Sequence, residues 1–493
     1  MRKGLVAVTL GVWLCACAIG PDYKRPAISA PPVFRGQTDT PAPDAGRSFG
    51  DLRWWEVFQD VELQGLIHTA VVNNYDVRIA VARVLEARAQ VGITRADQLP
   101  HLSAGATVGR TRVSGNAFPR LPPTAPHQED NFELSGSLGF EVDLWGRLRR
   151  ATEAARAQLL ASEEARATVV STLVSDVATA YFQLRELDLE LEIAERTLTS
   201  RRSSLRLVRL RRDRGVASGL DVSQAEVLVN TAATAIPFTR RQIEQKENQI
   251  RLLLGESPGD VARGRALTDQ TLTVAVPPGM PSALLERRPD IRQAEAQLVA
   301  ANANIGVAKA LFFPQITRTA SAGLQSAALS RLLEGPSGFW AFAGQLLQPV
   351  FQGGRIWFNY QASKAREQQA VLQHQQAPQT AFREVSDALV SYRRTREFLT
   401  EQEALTGSLR DYSRLSTIRY RGGVASYLEV LDADARLFSA ELDLARARRD
   451  ELLAVVQLYK ALGRGWRMDG GMGVLPGPVR SDERGQLSDD RRQ

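Results

Sequence analysis

Two carboxylates carry the sharpest chemistry in this chain. Glu429 and Asp432 lie one helical turn apart on one face, just after the turn Gly422-Gly423-Val424-Ala425-Ser426. Alone, an acidic first turn complements the positive end of a helix. Repeated around the axis of a symmetric assembly, the pair becomes two stacked acidic rings that attract cations and repel anions at a constriction, and Leu428 beside it adds an apolar collar. Groups suited to catalysis do not gather in this way. His68, His101, His127 and His374 are scattered without metal-ligand spacing, and neither a glycine-rich phosphate loop nor a nucleophile elbow is evident. The residues therefore point away from an enzyme and imply no cofactor and no metal.

The other reactive residue is a thiol. Arg2 and Lys3 precede an apolar run from Leu5 to Leu14, the charged and apolar regions of an export signal, and Leu14-Cys15-Ala16-Cys17 closes it in the manner of a lipobox. Residues 1–17 are then a signal peptide, and Cys17 is the lipidated first residue of the mature chain. One cysteine would remain, so no structural disulfide is expected. Ala18, rather than an aspartate, favours the outer membrane over the inner one. A proline-rich linker is expected over 18–57. The 493 residues are 44% hydrophobic with a net charge of +7, and the arginines alternate with acids, as in Arg185-Glu186 and Arg383-Glu384. Such solvated helix faces build no basic patch, so no nucleic-acid partner is expected.

The elements that position the acids are written twice. Asp76-Val77-Arg78-Ile79-Ala80 is echoed by Asp290-Ile291-Arg292-Gln293-Ala294, Pro100 by Pro314, Val174-Ser175-Asp176 by Val385-Ser386-Asp387, and Gly215-Val216-Ala217-Ser218 by Gly423-Val424-Ala425-Ser426. The order is preserved at a period near 210 residues, which reads as repeat 1 over 58–256, a linker over 257–281, repeat 2 over 282–463 and a tail over 464–493. Each repeat opens with a helix, roughly 60–97 and 282–311, that stops before a proline. Period-two alternation follows. Leu102, Ala104, Ala106 and Val108 share a face, as do Phe132, Leu134, Leu138, Phe140 and Val142, then Ile316, Ala320, Ala322 and Leu324, then Trp340 and Phe342.

After Gly146-Arg147 and Gly353-Gly354-Arg355 come very long helices. From about 147 to 212 there is no proline, roughly 100 Å of helix, with apolar residues at coiled-coil spacing. Each turns back at the Gly-Val-Ala-Ser hairpin into a return helix, the first interrupted or kinked at Pro237. Four strands with one oily face have lipid-spanning length but cannot close a barrel, so further strands must come from other copies. The fold class is a mixed α and β membrane protein built as an oligomer.

The run Cys17-Ala18-Ile19-Gly20-Pro21-Asp22-Tyr23-Lys24-Arg25-Pro26, the two Gly-Val-Ala-Ser turns with Asp221-Val222 and Glu429-Val430-Leu431-Asp432 after them, and Pro349-Val350-Phe351-Gln352-Gly353-Gly354-Arg355 resemble the outer-membrane factor family of efflux channels, TolC and OprM type, over the whole mature chain. The resemblance implies a homotrimer with a twelve-stranded barrel continued by a helical coiled-coil periplasmic tunnel. Its partners would be a periplasmic adaptor, an inner-membrane transporter and outer-membrane lipid. It puts Leu428, Glu429 and Asp432 at a periplasmic gate, with Asp221 bonded across helices to Tyr420 as its lock. The arginine of the TolC lock falls at Ala425, leaving Arg419 or Arg421 as substitutes. Arg214, Gly215, Val216, Ala217 and Ser218, with Gly422, Gly423, Val424, Ala425 and Ser426, would dock the adaptor. A protein-export channel of the same fold differs only in partner, while a coiled-coil scaffold has no use for four lipid-length strands.

Overall fold

The computed structural model describes residues 18–35, 49 and 52–463, apart from 117, 119–121, 123–125 and 271–280. The signal segment with Cys17, the tail after 463 and most of the 36–51 stretch lie outside the described residues. In chain order the helices are α1 (Trp54–Val57), α2 (Val61–Asn73), α3 (Tyr75–Ala96), α4 (Arg147–Asp213), α5 (Gly219–Leu253), α6 (Pro281–Arg287), α7 (Pro289–Ala310), α8 (Arg355–Arg421) and α9 (Tyr427–Ala461). The strands are β1 (His101–Arg112), β2 (Gln128–Glu141), β3 (Gln315–Ser326) and β4 (Gly338–Leu347).

The element order runs twice, and the copies match in length: α4 and α8 have 67 residues each, α5 and α9 have 35. Both long helices and both return helices begin and end 208 residues apart, so the structural offset across these helices is 208, Gly215 recurring as Gly423. The Val-Ser-Asp match, at an offset of 211, is therefore slipped by three residues. The helix ends decide between the two, since burial fits both: Val385, Ala388 and Leu389 match the buried Val177, Ala180 and Tyr181 at 208 and the equally buried Val174, Val177 and Ala178 at 211.

The opening helix of each repeat is not continuous, as its periodicity suggests, but breaks at Asn74 and again at Arg288. Buried Asn74 accepts the amides of Asp76 and Val77 on Oδ1 and donates Nδ2 to the Leu253 carbonyl at 2.9 Å. Its counterpart Arg288 precedes Pro289, which disfavours helix at that position, and donates to the Ala461 carbonyl at 2.9 Å. Pro237 does not interrupt α5. Ala232 on one side of it and Thr239 and Ile243 on the other are buried, and this packing holds the helix across the missing amide.

The chain divides into two compact units, and each draws the matching segments of both repeats together. The first (1–27, 83–163, 293–376) holds one antiparallel sheet in the order β1-β2-β3-β4. Its register stacks apolar residues in rows across the strands. Leu102, Leu138, Ala320 and Phe342 form one row, Ala104, Gly136, Ala322 and Trp340 the next, and Ala106, Leu134 and Leu324 a third. On the opposite face Ser103, Ser137 and Ser321 align, the first two bonded at 2.7 Å. The apolar face ends at an Arg110–Asp130 pair (2.8 Å) on one side and at the row of Phe140, Arg318 and Gly344 on the other. Asp130 to Phe140 is about 33 Å of strand, which a tilt of about 40° reduces to about 25 Å, the height of a lipid-facing band. Aromatic residues gather where the strands meet the helices: Trp145 stacks on Phe313 at 4.8 Å, and Tyr360 lies against Phe312 and Trp357. Ala18 to Arg25 is fastened to this unit by Ile19 N to Trp145 O (2.9 Å), Asp22 to Arg150 (2.8 Å) and Arg25 to Glu295 (2.9 Å).

The second unit (28–82, 164–292, 377–493) is helical around a core that includes Tyr181, Phe182, Leu184, Val456 and Tyr459. Asp60 closes it, accepting from Tyr181 Oη (2.8 Å), Gln270 Nε2 (2.7 Å) and the Arg265 and Glu62 amides. An antiparallel ladder joins α4 to α9. Glu186 meets Arg449 (3.2 Å), Glu190 meets Arg446 (2.9 Å), Arg196 meets Glu441 (2.7 Å), and Arg201 reaches the Asp434 carbonyl (3.1 Å).

Candidate functional site

Both hairpin tips lie in the second unit. Each long helix ends on a left-handed glycine, Gly215 at φ +79° and Gly423 at φ +76°, and no neighbouring atom lies within contact of a Cβ built at either. The glycine is there for the backbone alone. The helix then closes in the same way twice: Val216 N donates to the Arg211 carbonyl (2.8 Å) and Val424 N to the Arg419 carbonyl (3.1 Å). Beneath the turns Leu205, Val208, Val222, Ala225, Tyr420, Tyr427 and Val430 form a small core of their own.

Above that core the tips differ. Ser218 caps α5 through a reciprocal box: its Oγ accepts from Asp221 N (3.2 Å), and Asp221 Oδ2 accepts both Ser218 N (2.8 Å) and Ser218 Oγ (2.9 Å). Ser426 makes no side-chain cap to α9. Its counterpart acid, Glu429, turns instead to Arg419 at 3.3 Å. Asp432 accepts from Arg436 (2.9 Å) and from Tyr412 Oη (3.3 Å). The two acids thus share a turn of helix, and each has an arginine partner within its own chain.

The expected lock is arranged differently. Asp221 is spent on its own helix end and makes no hydrogen bond to Tyr420, although its charge lies close enough to act on that phenol. The buried Tyr420 hydroxyl has no hydrogen-bond partner among the described residues. Burial raises its pKa, with Asp221 adding to the rise and Arg211 opposing it. The cation that lies against Tyr420 is neither Arg419 nor Arg421 but Arg211, whose guanidinium lies 4.4 Å over the Tyr420 ring and donates to the Tyr420 carbonyl at 2.8 Å. Arg421 forms no ion pair among the described residues. Sequence reasoning passed over Arg211, yet a signal was present: it is the counterpart of Arg419, one repeat earlier.

Burial also governs the neighbours. It pushes Tyr427 up to about 12 and raises Asp434, whose carboxylate nevertheless holds Ser413 Oγ at 2.6 Å. Leu428 is exposed, as are its counterpart Leu220 and the turn residues Val216 and Val424, so both tips present the same apolar pair to the outside. Arg214 and Ser218 are exposed with them, and Ala217 and Ala425 are half-buried. Among the described residues no group of His, Cys, Asp and Glu could hold a metal ion, and no helix is long and apolar enough to cross a membrane.

Comparison with known proteins accounts for nearly the whole chain. A family described as "Outer membrane efflux protein" matches residues 66–256 and again 280–464. The toluene efflux pump outer membrane protein TtgC of Pseudomonas putida is 38% identical over 94% of this chain and 96% of its own length. The cation efflux system protein CusC of Escherichia coli is 36% identical over 94% of this chain and 99% of its own length. Among solved structures, the open state of the Neisseria gonorrhoeae MtrE outer membrane channel is 31% identical, with a TM-score of 0.81 over 92% of this chain and 99% of that one. Relatives named for a hydrocarbon and for cations are thus almost equally similar to it.

Proposed function

The chain belongs to the outer membrane efflux protein family, and from that premise we propose that three copies close into one twelve-stranded outer-membrane barrel, continued by a helical tunnel whose hairpin tips form the gate. It is an efflux channel, passing small molecules outward without chemistry of its own. The observation that carries an assembly of copies is the sheet, four strands with an apolar face and edges at β1 and β4 that pair with nothing among the described residues; the number three comes from the family resemblance. Free edges are not tolerated in hydrocarbon, so the edges of one copy must meet those of the next. The aromatic residues at the helix end of the apolar band support a membrane–water boundary there. Ala18 lies against Gly146, just beyond β2, which would set a lipid on Cys17 beside that boundary.

At the gate, Glu429 and Asp432 repeat around the axis as two acidic rings, with Leu428 beside them. The exposed turns receive a periplasmic adaptor, which joins the channel to an inner-membrane transporter. The cargo is set by that transporter, consistent with relatives of equal similarity bearing the names of different substrates.

Planar-bilayer recordings test this. Purified trimers should show a small resting conductance that prefers cations. In Glu429→Ala/Asp432→Ala the preference should fall and swing towards anions, because Arg419 and Arg436 remain at the constriction without their partners. Unchanged selectivity would place the constriction elsewhere.

A further inference from the structure

His374 sits on α8 within the first unit, with none of its surface exposed. Neither ring nitrogen has a hydrogen-bond partner among the described residues. Zero exposure also leaves no surface for bulk water or another copy to reach. A neutral imidazole carries one donor and one acceptor, and leaving both unmet in the interior costs stability. Its neighbours one turn away on α8, Ala370, Val371, Ala377 and Pro378, carry no charge.

The charges near the ring belong to other elements. Burial, the largest influence, pushes the His374 pKa down; Arg25 of the N-terminal strap, Ala18 to Arg25, adds to the fall, and Glu295 of α7 opposes it. These two groups are each other's partners. Arg25 donates to Glu295 at 2.9 Å, and Tyr23 Oη donates to the same carboxylate at 3.2 Å. Tyr23 is itself pushed up to about 12 by burial and by Glu295, so it remains a neutral donor.

We propose that His374 is an acid-sensitive release for the N-terminal strap: a proton on its buried ring frees Tyr23 and Arg25 from Glu295 and lifts that stretch of the strap off the first unit. The strap leads directly to Cys17. On the lipidation reading above, release turns an attachment point held against the fold into one on a slack tether; the release itself does not depend on that reading.

Two effects act together. An imidazolium beside Glu295 competes with Arg25 for one carboxylate, and two cations at one acid repel. A charged ring without hydrogen bonds is also costly to keep buried, and lifting the strap lets water reach it. The sign follows from the two states. With the strap docked, burial holds the pKa below its ordinary value; with the strap released, the hydrated ring returns to about 6.5. The released state therefore takes up the proton more readily. Docking is unopposed above that pH and weakens below it, the ratio of released to docked strap rising by up to about tenfold per pH unit.

The test uses the full-length, membrane-extracted protein with a nitroxide on Lys24→Cys, an exposed position in the strap, and the unsubstituted protein as the labelling blank. Spin-label spectra are recorded from about pH 8 to about pH 5. The mobile component should grow as pH falls below about 6.5 and shrink again on neutralisation, while helix content by circular dichroism stays level. His374→Phe and His374→Gln, one apolar and one polar, do not titrate, and in both the label should remain immobile throughout. Glu295→Gln removes the charge that holds Arg25, so there the label should be mobile at every pH. A wild-type label that stays immobile in acid, or that loosens as much in either His374 variant, would overturn the proposal. So would mobility gained only with loss of helix, or a label still immobile in Glu295→Gln.

Discussion

The two hairpin tips share a turn and diverge within the next four residues. In the first, Asp221 is short enough to fold back on Ser218 and close the end of α5; in the second, Glu429 is one methylene longer and reaches Arg419 instead, leaving α9 without a side-chain cap. Arg211 and Arg419 occupy matching positions, yet Arg211 crosses to the other hairpin while Arg419 stays on its own. The first tip is therefore fastened locally and also holds the second. The second has its acids on exposed pairs, which hold weakly. Duplication preserved the bend and left the fastening free to diverge, so the hairpin suited to move is the one that bears Glu429 and Asp432, the acids proposed for the gate.

What the tips share gives the largest expected effect. Gly215→Ala and Gly423→Ala each force a Cβ into a left-handed conformation, at a cost of about 1–2 kcal/mol. With open space around both positions, the losses should be equal in thermal unfolding of the detergent-solubilised trimer. A clear inequality would mean that one turn is braced by contacts a single chain does not contain.

What separates them comes next. Arg211→Ala removes a partly buried cation–π contact, worth from about 0.5 to 2 kcal/mol, and a hydrogen bond to the Tyr420 carbonyl. It should raise resting conductance while leaving selectivity in place, because it frees the second hairpin without touching the acids. Arg419→Ala breaks only an exposed pair, worth about 1 kcal/mol or less, and should change selectivity more than stability. If the two substitutions proved interchangeable, the asymmetry between the tips would have no consequence.

The caps form a finer contrast. Ser218→Ala should cost about 1 kcal/mol, as the loss of an N-cap does, and Ser426→Ala close to nothing. Thermal unfolding of the two single variants against wild type measures the difference, and equal costs would show that Ser426 gains a capping partner on assembly.

Much of this architecture is legible in the sequence, because it rests on local periodicity. The alternation of Leu102 and Leu138 with polar residues gives the oily face before any register is known, and Gly215 and Gly423 announce their turns. The losses come where geometry, not residue type, decides. A slip of three residues is nearly one helical turn, so Val174-Ser175-Asp176 and Val385-Ser386-Asp387 look equivalent on sequence, burial fits either offset, and only the helix ends separate them. The breaks at Asn74 and Arg288 depend on carbonyls 179 and 173 residues away. At the tips, Asp221 and Glu429 look alike as acids. Which arginine or serine each reaches is set by one methylene and by the arrangement of four helices.

The smallest effect separates two accounts of how the tips are joined. If a hydroxyl bond from Tyr420 to Asp221 holds them, as the family resemblance implies, Tyr420→Phe should open the channel about as far as Asp221→Ala does. That hydroxyl is buried without a partner among the described residues, while the ring and the carbonyl hold Arg211 and the ring packs on Tyr427 at 5.3 Å. Tyr420→Phe keeps the ring and the carbonyl and removes an unsatisfied polar group, which costs little or is mildly stabilising. Resting conductance should then match wild type, and trimer stability should stay level or rise slightly. Arg211→Ala in the same recordings supplies the positive control. A Tyr420→Phe channel that opens like Asp221→Ala would show that the phenol finds its acceptor only once the copies assemble, and would return the lock from Arg211 to the hydroxyl.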